Sequence, residues 1–146
     1  MRENEVYQKV KQRLPTFDID RIENAISSGM PDAVITHSTG MMWSELKVQS
    51  HLNILDDCRP AQLAWLYLKC KKGLSHKLCI LSGHERKQTL DIWRITLDIT
   101  KDPNSRNGIL AEHWADFKLM GRSRDDLSFA HSFLQLMHLV GLRPEV

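Results

Sequence analysis

The sequence predicts an α/β fold: a mixed central β-sheet flanked by helices, with extra helices at the C-terminal end. Three observations lead there. Apolar residues recur at helical spacing in two segments, with Val6, Val10 and Leu14 on one face of the first and Leu63, Leu66, Tyr67 and Cys70 on one face of the second. Short apolar runs bounded by turn residues read as strands at 32–36, 41–48, 77–81 and 89–99. Helical and strand segments alternate along the chain, which is the order of a sheet with helices packed on it.

The elements follow in chain order. Glu3 to Leu14 is a helix, stopped by Pro15. Phe17 to Asp20 is a linker, Arg21 to Ile26 a short element of undecided type, and Ser27-Ser28-Gly29 a turn. Asp32 to Thr36 and Met41 to Val48 are strands, and His37 to Gly40 between them is the length of a hairpin turn. Gln49 to Cys58 is a loop. Pro60 to Lys72 is a helix, with Pro in its first turn and Gly73 past its last lysines. Lys77 to Leu81 and Thr89 to Ile99 are strands, and Asp102 to Gly108 is a polar loop. Ile109 to Met120 reads as helical, Gly121 to Asp126 as a charged loop, and Leu127 to Val140 as a final amphipathic helix. The expected organisation is a single domain, with a core over about 1–100 and a helical extension over about 109–146.

Composition bounds the function. With 146 residues, the chain is long enough to bury a core without disulfide or metal staples. No apolar run approaches a membrane span, and the charged start MRENEVYQKVKQRL has no secretory core, so a cytoplasmic protein without membrane attachment is expected. Cys58, Cys70 and Cys79 are odd in number and show no CxxC spacing, which points to reduced thiols. The seven histidines are scattered, and His131 and His138 match no metal motif. A net charge of +2 is compatible with nucleic acid but does not specify it.

The stretch that calls for chemistry is GMPDAVITHSTGMMWSELKV, Gly29 to Val48. Along a strand, side chains alternate between faces. Trp43, Glu45 and Lys47 therefore share one face, and pairing with the preceding strand brings Asp32 toward Glu45. Two carboxylates brought together repel, and a hard divalent cation such as Mg²⁺ resolves the conflict. The Leu46 carbonyl would add an oxygen ligand. Lys47 would orient or deprotonate water, or neutralise charge on a phosphate. The same Glu-x-Lys also suits a solvated strand face carrying an ion pair.

Pro31-Asp32 followed by Glu45-Leu46-Lys47 resembles the PD-(D/E)xK nuclease signature. The flanking blocks are RIEN at 21–24, SGMPD at 28–32, WSELK at 43–47 and RPAQLAW at 59–65. Together they resemble small phage-type nucleases of the VRR-NUC and Holliday-junction-resolvase-like branch. The resemblance covers about Arg21 to Gly83. Ser44 departs from it, standing where the pattern has Ile or Val.

The resemblance implies a restriction-endonuclease-like core and a Mg²⁺- or Mn²⁺-dependent DNA endonuclease. It implies Asp32 and Glu45 as metal ligands, Glu23 as an upstream acid assisting them, Lys47 as the catalytic lysine, and Gln62 as a site-orienting group. Branched DNA, as in recombination or replication repair, is the implied substrate. Flap, single-strand or sequence-specific cleavage, or a non-catalytic DNA-binding module, are the alternatives. Arg59, Lys69, Lys71, Lys72, Lys77, Arg122 and Arg124 are candidate phosphate contacts. Trp65, Tyr67 and Trp93 suit either base stacking or core packing. Resolvases of this superfamily are commonly homodimers, since a junction needs two symmetric cuts, so the resemblance implies a homodimer as one possible state. Phe133, Leu134, Met137 and Val140 form an apolar face that suits a dimer surface or the core equally.

Overall fold

The first helix, α1 (Glu3–Arg13), carries Glu3 and Glu5 in its first turn and Lys11 and Arg13 in its last, charges that complement the helix dipole. The computed structural model to which it belongs describes residues 1–22, 29–38, 40–100, 102–120 and 123–139, with side chains from 127 in the last segment. Three strands follow, β1 (Asp18–Arg21), β2 (Ala33–His37) and β3 (Gly40–Val48). Then come α2 (Pro60–Lys71), β4 (Leu78–His84), β5 (Thr89–Leu97), β6 (Ile109–Lys118) and α3 (Ser123–Met137).

The six strands form one mixed sheet in sequential order, β1-β2-β3-β4-β5-β6. All neighbours are antiparallel except β3 and β4. That parallel pair needs a crossover, which α2 supplies. Strand β4 is buried along almost its whole length, as the continuous run LCILSG suggests for a central strand covered on both faces.

Strand alternation divides the core into two layers. On one face, Val6, Val10 and Leu14 of the α1 segment and Phe129, Phe133 and Met137 of α3 pack on Ile35, Met42, Leu46, Leu81 and Ile92. On the other, Leu63, Leu66 and Cys70 of α2 pack on Leu78, Ile80 and Ile95. Trp43, Glu45 and Lys47 alternate with Met42 and Leu46 and so face the α2 side. Ser44, which stands where the nuclease pattern that the sequence resembles has Ile or Val, is buried with its hydroxyl 3.1 Å from the Cys79 sulfur. All three cysteines are free and buried.

Several expectations are corrected. The segment read as a helix from Ile109 to Met120 is instead strand β6, paired with β5 along its length. A β-bulge at Trp114 interrupts its alternation, so Leu110, Trp114 and Phe117 fall at helical spacing while the backbone stays extended. The helical extension over 109–146 is thus a strand followed by α3. The linker Phe17 to Asp20 contains most of β1, a short, largely exposed edge strand of sequence DIDR. The loop Gln49 to Cys58 contains a 3₁₀ turn, Ile54–Asp57. For the apolar face of α3, of the two alternatives open in the sequence the structure shows core packing: Phe133 and Met137 are fully buried and Leu134 packs on the same core. Val140 lies outside the described residues. Among the described residues, no helix is long and apolar enough to cross a membrane.

Candidate metal and phosphodiester site

The approach to Asp32 depends on Gly29. Its φ is +93°, a left-handed conformation, and a Cβ there would lie 2.1 Å from the Ala61 carbonyl oxygen. The GMP turn therefore lies directly against the first turn of α2. From there β2 runs antiparallel to β3 with Ala33 opposite Ser44, so the next step back places Asp32 opposite Glu45. The Asp32 Oδ2 accepts the Leu46 N–H at 2.9 Å, which fixes the carboxylate at the point where β2 pairing ends. The Leu46 carbonyl lies on the same edge as its N–H, since both groups of an extended residue point to one side.

Helix α2 supplies the next group. Gln62 is buried in its first turn and does two jobs. Its Oε1 accepts the Arg59 N–H at 2.8 Å, capping the helix. Its Nε2 donates to Glu45 Oε1, also at 2.8 Å. The capping geometry thus holds one Glu45 oxygen in place. The other, Oε2, is buried and, in its ionised form, accepts a hydrogen bond from no described residue. Such an orphan costs on the order of 1–3 kcal/mol.

Burial, reinforced by the hydrogen bond and charge of Asp32, pushes the Glu45 carboxyl up from 4.5 to about 10. Lys47 opposes that rise and Glu3 adds to it. Lys47 is itself buried, with its Nζ 3.8 Å from Glu45 Oε1 and 3.6 Å from Glu3 Oε1. A buried ammonium needs such partners.

A divalent cation fits this donor set. Two opposed carboxylates, one with an unused buried oxygen and a proton it would otherwise give up near pH 4.5, are the arrangement that a hard cation relieves. Asp32, Glu45 and the Leu46 carbonyl are the oxygens available to hold it.

The other expected residues divide by position. Glu23 lies outside the described residues, as does Arg122, and the side chain of Arg124 is not described. Arg59 caps α2 and lies three residues from Gln62, beside the site. Lys69 sits with its Nζ 5.0 Å from the Trp65 ring centroid, and Lys72 is the C-cap of α2. That end lies about 15 Å along the helix from Gln62. Lys77 precedes Leu78, which pairs with Trp43, so it lies toward the end of the sheet away from Lys47. The structure does not bring Lys69, Lys72 or Lys77 to Glu45. Trp65, Tyr67 and Trp93 all pack against the α2-side core. The acidic pair in the loop has structural partners: Asp57 accepts the Ser50 and His51 N–H groups, and Asp56 pairs with Arg106 at 2.6 Å.

Glu3 is the residue that sequence reasoning missed. It lies 44 positions before its partner Lys47 and carries no local motif; only its place in the first turn of a helix that packs on β3 signals it. Comparison of the chain with protein-family models, with curated proteins and with solved structures finds no match.

Proposed function

We propose that this chain is a metal-dependent DNA endonuclease of the PD-(D/E)xK kind it resembles, hydrolysing phosphodiester bonds on a restriction-endonuclease-like core. The observation that carries the reading is the opposition of Asp32 and Glu45, with one buried carboxylate oxygen unsatisfied, beside the buried ammonium of Lys47. The mixed sheet with helices on both faces supports the fold part of the proposal.

In this reading Asp32, Glu45 and the Leu46 carbonyl hold Mg²⁺ or Mn²⁺. Such an ion lowers the pKa of a bound water and offsets charge on the scissile phosphate. The chain's own groups do the rest. Gln62 fixes Glu45 through Oε1 and leaves Oε2 free as a ligand. Glu45 would hold such an ion as a carboxylate, since a positive charge there would offset the effect of Asp32. Lys47 has three donors, of which Glu45 and Glu3 direct two; the third remains for water or a phosphate oxygen. Glu3 thereby sets the position of the ammonium. The upstream acid Glu23 stays part of the proposal as a further ligand, on the resemblance alone.

The proposed substrate is branched DNA, again on the resemblance. A cleavage panel tests it: labelled four-way junction, flap, single strand and linear duplex, in Mg²⁺ and in Mn²⁺. Paired symmetric nicks confined to the junction are expected. Metal-dependent cutting of another member keeps the nuclease and replaces the substrate. Binding without cutting of any member leaves a DNA-binding module and removes the enzyme.

A further inference from the structure

We propose that Asp91, His113 and Asp116 form a second cation site, at the β5–β6 end of the sheet, suited to a first-row divalent ion such as Zn²⁺ or Mn²⁺. This site stands independently of the endonuclease reading. His113 Nε2 lies 2.9 Å from Asp91 Oδ1 and 3.8 Å from Asp116 Oδ2. One donor atom from each of the three residues falls within 4.8 Å of the others. Ligands of a tetrahedral ion at about 2.1 Å sit roughly 3.4 Å apart, so the set brackets that spacing. Asp116 is exposed and free to close the widest gap by a rotamer change.

The backbone assembles the set through a local irregularity. Residues three apart on a regular strand point to opposite faces. Trp93 pairs with His113 while Ile92 pairs with Ala115, so Trp114 is an extra residue in β6. That bulge turns His113 and Asp116 to the same face, the face on which Asp91 lies. Bulges re-aim side chains in this way next to functional sites. Outer contacts then orient the ligands. Thr89 Oγ1 donates to Asp91 Oδ2 at 2.8 Å, leaving Oδ1 toward His113. The Trp93 ring meets the His113 ring edge-on, with centroids 4.9 Å apart. Partners of this kind hold ligands in register for an ion.

The site opens into a cavity of about 280 Å³, lined also by Gln49, His84 and Lys87, with room for water or a further ligand. A nitrogen donor among oxygens favours Zn²⁺ or Mn²⁺ over Mg²⁺. It is not the second ion of a two-metal pair with Glu45. Lys47, Ser82 and Asp91 stand in one row across three strands. Two strand spacings are about 10 Å, whereas paired catalytic ions lie about 3.5–4 Å apart.

The test is calorimetric titration of ZnCl₂ and of MnCl₂ into the full chain, carried out in an Asp32→Asn/Glu45→Gln background that silences the other carboxylate pair. One equivalent is expected to bind there. It should be lost on adding His113→Gln and weakened roughly tenfold by Asp116→Asn. Both of those side chains are partly exposed, so far-UV circular dichroism should be unchanged. Absence of saturable binding in the Asp32→Asn/Glu45→Gln background, or one equivalent that survives His113→Gln, overturns the site.

Discussion

Glu45→Gln should stabilise the metal-free protein and abolish the proposed cleavage in the same step. Burial first and Asp32 next push the Glu45 carboxyl up from 4.5 to about 10. Between those values the folded state holds one proton more than the unfolded state. The contribution of this group is therefore fully present below pH 4.5 and is lost as pH rises toward 10, at about 1.4 kcal/mol per pH unit. At pH 8 the accumulated penalty is about 4–5 kcal/mol before structural relaxation. Glutamine has the same shape and no proton to lose. Its amide oxygen still accepts from Gln62 Nε2, and its amide N–H₂ donates to Asp32. Metal-free Glu45→Gln should therefore exceed wild type in stability by roughly 3 kcal/mol at pH 8, a rise of about 6–12 °C in Tm, and match it near pH 5. Thermal melts in EDTA from pH 5 to 9 measure this, and DNA cleavage should be lost in the same variant. A variant less stable than wild type at every pH, or a difference that does not grow with pH, would refute the picture of opposed carboxylates.

Three further outcomes follow from the same geometry. Gln62→Ala strips the Arg59 N–H of its acceptor and Glu45 of its donor, so urea denaturation should show a loss of about 1–3 kcal/mol, with weaker Mn²⁺ binding by calorimetry. Gly29→Ala forces a Cβ toward the Ala61 carbonyl at a positive φ and should cost about 2 kcal/mol or more in denaturant midpoint experiments; cleavage should fall with it because Asp32 shifts. Glu3→Gln removes one of the two carboxylates at the Lys47 ammonium. It should slow cleavage roughly tenfold at unchanged DNA affinity, and lower Tm by about 2–4 °C as about 1 kcal/mol of ion pairing and helix-dipole stabilisation is lost.

Much of the site was legible because local rules govern it. Strand alternation put Glu45 and Lys47 on one face, and a short hairpin brought Asp32 across to them. Gln62 was legible as a first-turn helix residue, although only the fold shows that capping α2 and holding Glu45 are one act. Glu3 was not legible, since its contact spans most of the N-terminal half of the chain. Two strands were misread for identifiable reasons. In β6 the Trp114 bulge gives an extended segment a helical apolar spacing, and the same bulge hid the meeting of His113, Asp116 and Asp91. In β1 an edge position lets DIDR be polar nearly throughout, so no alternation marks it. The apolar stripe of α3 was visible, but a stripe does not say what covers it. Here α1 and the sheet do.

The most direct test of the central claim compares wild type with Lys47→Met in a Mn²⁺-dependent cleavage assay, alongside DNA binding and Mn²⁺ binding by the same samples. Methionine keeps the length and packing of the buried stem and removes only the ammonium. Wild type is expected to cleave phosphodiester bonds in a metal-dependent manner. Lys47→Met should lose at least a hundredfold in rate with both binding constants nearly unchanged, about 3 kcal/mol of transition-state stabilisation. Cleavage that persists in Lys47→Met, or wild type that binds Mn²⁺ and DNA yet cuts nothing, would contradict the assignment of Lys47 and its carboxylates as a hydrolytic site.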